Sequence, residues 1–320
     1  MADQEVNSTY SFEVQGYVHV VEFCPFEQSS QLVAYGGNNR VSVAKCVFPE
    51  EDKELGDLEY EHLRDFHHGT RVDAIAWSPQ TNVNTLPRVV RFCTAGSDRK
   101  IRIFSSDLKE KDSVQVLEGH TDYVNDVVFE PTNGDQVASV SDDHTCRVWD
   151  LDGTQKAVMP LKGPGVSVRW HPDDPAKLMV AEKTGIIRFY DIITCQPIMS
   201  LDCGHAPLTS ADWCRTDPLT VGAVAGSDWF MWDVTRSSRP EDRRQVHPEG
   251  AKNFRWCRVS EKLFATCGRP GNQVKVFHKG HHQTPVSSSM MVQGGLSWHA
   301  RLPVCAVGGD RVIHMWLAEL

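Results

Sequence analysis

Seven times along the chain a short apolar run ends in an aromatic residue just before a turn: Phe23, Trp77, Phe129, Trp170, Trp213, Trp256 and Trp298. These residues are spaced 54, 52, 41, 43, 43 and 42 positions apart. A unit of roughly 40 to 45 residues that recurs from one end to the other is the period of four-stranded propeller blades. The pattern predicts an all-β chain folded as a seven-bladed β-propeller, and it points to a binding surface more than to an enzyme.

The third repeat is the clearest and serves as the template. Val124 to Phe129 reads as a first strand, Gln136 to Val140 as a second, Thr145 to Asp150 as a third and Gln155 to Leu161 as the outer fourth. Alternation such as Val166-x-Val168-x-Trp170 marks other first strands, and third strands end at Phe104, Trp149, Tyr190, Trp232, Phe277 and Trp316. Four short strands with tight polar turns cannot hide both faces alone, so each sheet must stack on the next.

Residues 1–320 are expected to form a single propeller. Its blades fall at 17–66, 67–118, 119–161, 162–202, 203–247, 248–290 and 291–320. The last of these has only three strands of its own. Residues 8–14 are expected to supply the missing outer strand and close the ring. Glu50 to Phe66 carries Leu55, Leu58, His62, Leu63 and Phe66 at near-helical spacing, but Gly56 at its centre favours an acidic loop that runs into an outer strand.

The repeats also share polar positions. His68 precedes Trp77 by nine residues as His120 precedes Phe129, and Asp98 precedes Phe104 by six as Asp143 precedes Trp149. Thr94 stands where Ser139 does.

Charge and composition narrow the function. A formal net charge of −9 disfavours direct nucleic-acid binding, which needs a basic face to neutralise phosphates. The cluster Arg236, Arg239, Arg243 and Arg244 is interrupted by Pro240, Glu241 and Asp242 and reads as a solvated loop. No apolar run reaches 18 residues, so no membrane insertion is expected. The ten cysteines contain no Cys-x-x-Cys pair, and several lie inside apolar strands, which fits small hydrophobes in a reducing compartment, cytoplasm or nucleus.

Ser139, His120 and Asp143 are the residue types of a nucleophilic triad, but no Gly-x-Ser-x-Gly elbow is present, so no catalytic residue is assigned. His278, His281 and His282 flank Gly280 without a carboxylate or cysteine at ligand spacing and read as a surface turn. No Gly-Lys dipeptide occurs, so there is no phosphate-cradling loop of the Walker type. Neither a metal nor a cofactor is expected.

Gly119-His120 through Trp149-Asp150 resembles a WD40 repeat at every defining place. That resemblance implies a structural hydrogen-bond chain. The histidine of the loop that leads into the blade donates to the turn aspartate and accepts from the serine or threonine, whose hydroxyl takes the tryptophan N–H. It assigns this role to His120, Ser139, Asp143 and Trp149, and to His68, Thr94 and Asp98 in the blade before.

Several further strings resemble the vertebrate family of WD40 nucleoporins of about thirty-seven kilodaltons. These are residues 17–23, Ala34-Tyr35-Gly36-Gly37-Asn38-Asn39, Phe66-His67-His68-Gly69, residues 139–147 and Val221-Gly222-Ala223-Val224-Ala225-Gly226. The resemblance implies a non-catalytic scaffold of the nuclear pore's Y-shaped outer-ring complex that supports pore assembly, mRNA export and protein import. It also implies a large propeller-plus-helix nucleoporin of the short arm as partner, other outer-ring nucleoporins beside it, and a kinetochore role in mitosis. The protein is expected to be monomeric alone and a subunit of a hetero-oligomer in the cell.

No Phe-Gly dipeptide occurs, which sets the chain apart from the barrier-forming nucleoporins. Propeller geometry places Arg71, Ser97, Tyr123 and Asp142 on one rim as candidate partner contacts, with Trp229 as a further candidate. The alternative is a WD40 adaptor or ubiquitin-ligase substrate receptor. Those receptors often carry Trp-Asp-x-Arg, whereas here Trp149-Asp150 is followed by Leu151-Asp152 and Trp232-Asp233 by Val234-Thr235.

Overall fold

The computed structural model describes residues 6–109, 112–280, 286–291 and 294–318. Among these residues the strands form seven four-stranded antiparallel sheets, arranged as a β-propeller. In blades 1 to 6, strands follow one another in chain order from the axis outward. In the third blade Val124–Phe129 pairs with Gln136–Ser141, then Thr145–Asp150, then Gln155–Pro160.

Seven apolar clusters hold the blades together, one at each interface. The interface between blades 1 and 2 packs Leu32 and Phe66 against Trp77, Phe92 and Phe104. That between blades 6 and 7 packs Leu263 and Val276 against Trp298 and Trp316. The aromatic that ends each innermost strand is buried at such an interface, which is why the aromatic period and the blade period are the same.

The ring closes between blades 7 and 1. Val21, Phe23 and Phe48 pack against Val304, Ile313 and Met315. The N-terminal strand Tyr10–Glu13 completes blade 7 by pairing with Val312–Leu317 in the register Tyr10 to Met315 and Phe12 to Ile313. Phe12 stacks on Tyr60 of blade 1 at a centroid distance of 4.0 Å, so the same strand clamps both neighbours. The Glu50 to Phe66 stretch contains no helix: residues 49–57 are turns, and Glu59–His67 is the outer strand of blade 1.

Innermost strands run from an upper face, where His68 and His120 lie, to a lower face, where the aromatics end. In blades 2 to 7 each carries a register shift near its start, such as that between Val124 and Asp126. Such a bulge adds twist and re-aims side chains. Asn125 and Asp126 both line the axial channel as a result.

Candidate functional site

The buried polar relay of blade 3 is a satisfied network with no reactive group left over. His120 Nδ1 lies 2.8 Å from Asp143 Oδ2, His120 Nε2 lies 2.8 Å from Ser139 Oγ, and Trp149 Nε1 donates to that oxygen at 2.9 Å. Burial lowers the His120 pKa despite the facing carboxylate, so the ring is neutral near pH 7. With the proton on Nδ1 it donates to Asp143, and the Ser139 hydroxyl then donates to Nε2.

Burial pushes the Asp143 carboxyl up, but the Thr145 hydroxyl, His120 and the Thr121 N–H outweigh it and hold the pKa at about 2. The serine oxygen is thus engaged on two sides in a fully buried position.

Blade 2 keeps only part of this arrangement. His68 Nε2 meets Thr94 Oγ1 at 2.9 Å, but its Nδ1 faces the Thr70 carbonyl at 2.9 Å. Asp98 does not accept from His68, contrary to the expectation from register. It forms a two-pronged pair with Arg102, at 3.0 Å to Nη1 and 2.5 Å to Nη2. Arg102 sits four residues on and offers a charged, forked donor, which outcompetes a neutral imidazole. Phe104 stands in place of the tryptophan, so the relay ends at Thr94.

Sequence reasoning missed a third histidine. His247 Nε2 lies 2.9 Å from Thr266 Oγ1, and His247 precedes Trp256 by nine residues, the spacing that had marked His68 and His120. Extending that register would have found it. Its Nδ1 is buried without a hydrogen bond, and no aspartate occupies the corresponding turn.

Gly96 and Gly268 lie under His68 and His247. A Cβ on either would come within 2.8 Å and 2.4 Å of the imidazole. Blade 4 solves the same problem differently. Buried Glu182 accepts from the Lys162 and Gly163 N–H groups at 3.0 and 2.9 Å and pairs with Arg188.

On the upper face the four rim candidates come together in pairs. The Ser97 N–H donates to the Arg71 carbonyl at 3.0 Å, and the Asp142 N–H donates to the Tyr123 carbonyl at 2.9 Å. Between the two pairs, Arg99 Nη1 donates to the Thr121 carbonyl at 2.9 Å. Arg71 and Tyr123 are exposed, Tyr123 at 50%, while Ser97 and Asp142 are half-buried.

Trp229 is not on a surface. It is 6% exposed, belongs to the cluster between blades 5 and 6, and meets Phe264 edge-on at 5.4 Å. Its place at the start of a third strand directs it toward the neighbouring blade, and it is removed from the candidate contacts.

The axial channel is crossed by an ion-pair clamp. Arg169 Nη1 meets Asp126 at 2.6 Å and Arg169 Nε meets Asp212 at 3.1 Å, which joins blades 3, 4 and 5. Asp212 also accepts from the Trp256 N–H of blade 6 at 2.9 Å.

Among the described residues no group of three or more His, Cys, Asp or Glu side chains is gathered to hold a metal ion. His281 and His282 lie outside those residues. All ten cysteines are free and nine are buried. Burial pushes the Cys24, Cys203 and Cys305 thiols up to about 12, which keeps them protonated and unreactive.

Comparison with known proteins agrees with this architecture. The family model described as "WD domain, G-beta repeat" matches residues 60–105 and 111–150. The human protein "Nucleoporin Nup37" is 51% identical over 99% of this chain and 99% of its own length. Its mouse counterpart is 52% identical over the same shares, and that of Drosophila melanogaster 33% identical over 98% of each chain. With identity of this level running from end to end on a WD40 propeller, the chain belongs to the Nup37 family of nucleoporins.

Proposed function

We propose that this chain is a rigid, non-catalytic scaffold subunit of the nuclear pore's outer-ring complex. In this reading it is monomeric alone, resides at the nuclear envelope and docks on a large propeller-plus-helix nucleoporin of the short arm. Through that attachment it supports pore assembly, mRNA export and protein import, and it accompanies the complex to kinetochores in mitosis. The observation that carries the reading is identity of about half, over nearly the whole length, to human and mouse Nup37.

Ser139 is buried and its oxygen lies between the His120 and Trp149 rings, which leaves no path for a substrate carbonyl. Docking is assigned to the upper rim of blades 2 and 3. There an exposed tyrosine and arginine, types enriched at interface hot spots, rest on backbone fixed by the paired turns.

Affinity capture of the tagged chain from cells is expected to recover outer-ring nucleoporins stoichiometrically. Recovery of none of them would reject the scaffold reading. Tyr123→Ala combined with Arg71→Glu is expected to weaken capture by about 2 kcal/mol or more while the melting temperature holds. Unchanged capture by that double variant would move the docking site elsewhere.

A further inference from the structure

The lower mouth of the axial channel carries cations that the fold itself does not use. The residue just before each closing aromatic faces the channel, and it is Glu22, Arg169, Asp212 and Arg255 in blades 1, 4, 5 and 6. Two positions after the aromatic, blades 1 to 4 have Pro25, Pro79, Pro131 and Pro172, whereas blades 5 and 6 have Arg215 and Arg258. Both arginines border a cavity of about 140 Å³ at this mouth, with Trp213 and Trp256 in its wall.

Arg169 is taken up by Asp126 and Asp212. Arg255 uses only Nη1, toward Ser210 Oγ at 3.0 Å and the Phe254 carbonyl at 2.9 Å. Arg215 and Arg258 make no hydrogen bond or ion pair with any described residue. The Glu22 carboxyl faces this group, also without a hydrogen bond. Burial pushes its pKa up against the pull of Arg255, Arg258 and Arg169, which weakens it as their counterion. Burial likewise lowers the pKa of Arg255 and Arg258 by more than the nearby Glu22 and Asp212 carboxylates raise it, so their positive charge is only partly offset.

We propose that this mouth is a phosphate-binding site, in which Arg215, Arg258 and the free side of Arg255 grip one phosphate group of a small molecule. Guanidinium forks match phosphate oxygens two at a time. A phosphate carrying about −1.5 to −2 charges at pH 7 offsets these cations better than a single carboxylate does. The cavity is well below the roughly 300–1,000 Å³ of drug-sized sites, so it takes a compact anion and no folded segment. The phosphate has two possible sources, an inorganic ion or the exposed end of a phosphorylated metabolite.

Isothermal titration of the full chain with inorganic phosphate, pyrophosphate and a nucleoside triphosphate tests the site and separates the sources. Chloride at equal ionic strength serves as control. Saturable binding of at least one is expected, weakened about tenfold or more by Arg258→Gln and further by the Arg215→Gln/Arg258→Gln double variant. Tightest binding of pyrophosphate or phosphate assigns an inorganic ligand, and tightest binding of the triphosphate assigns an organic one. Neither arginine holds the fold, so the unliganded variants are expected to melt with the parent. If the double variant nevertheless fails to fold, Arg258→Lys, which keeps the charge and loses the fork, is expected to bind several-fold more weakly. No saturable binding of any of the three, or affinity unmoved by the substitutions, overturns the proposal.

Discussion

Asp143 and Asp98 stand at the same register position of adjacent blades and hold different things. Asp143, whose side chain is 3% exposed, accepts from the His120 ring, the Thr121 N–H and both the N–H and hydroxyl of Thr145, so its removal strands four donors. Asp98, 24% exposed, serves only Arg102 and nearby backbone. Asp143→Ala is therefore expected to cost about 1–3 kcal/mol in chemical denaturation, and Asp98→Ala under about 1 kcal/mol. Equal costs would show that the relay adds nothing beyond a surface ion pair. The Asp143 pKa is depressed to about 2 from 3.8, so its contribution is complete above the latter value and is lost as pH falls through about 2.

Most strands pair with the strand next to them in sequence, but Tyr10–Glu13 pairs with a segment about three hundred residues away. What holds it is more than a ladder. The Tyr10 hydroxyl donates to Glu50 at 2.7 Å, the Val14 N–H donates to the Arg311 carbonyl at 2.8 Å, and Phe12 stacks on Tyr60. Deleting residues 1–14 uncovers a full strand edge on Val312–Leu317 and the ring faces beneath Tyr10 and Phe12. A loss of roughly 3 kcal/mol or more is expected, with self-association through the bare edge. Thermal melting and size-exclusion chromatography check this, and a truncated chain that stays monomeric with parent stability would contradict it.

Across the whole ring, stability depends on pH through buried histidines. Burial lowers His68, His247 and His299 to about 4 from 6.5, and the Phe23 and Phe48 rings meet His299 edge-on at 5.3 and 5.2 Å where blade 7 joins blade 1. Between those two pH values the unfolded chain binds more protons than the folded one, so stability falls as pH falls. The loss begins below about 6.5 and is complete near 4. Each ring is worth at most roughly 3 kcal/mol over that interval. Melting temperature is expected to drop steadily from pH 7 to 4.5, ahead of carboxylate titration, and His299→Gln is expected to flatten the curve. A flat profile in the parent would show that these rings are hydrated.

The sequence by itself determined the seven sheets through the aromatic spacing, their four-strand plan through the third repeat and the borrowed strand through the three-stranded last repeat, because a blade cannot bury both faces without a neighbour on each side. The relay of blade 3 was legible through its likeness to a WD40 repeat. Ser139 and Trp149 lie on adjacent paired strands, His120 and Asp143 on the loop and turn beside them, and the resemblance to a WD40 repeat assigned their roles. Tertiary structure decided what register cannot: that Asp98 turns to Arg102, that Trp229 lies between blades, and that arginines from separate blades gather unpaired at one end of the channel. Those outcomes rest on competition among donors and on packing between residues some forty positions apart, and neither is written in the spacing of a single repeat.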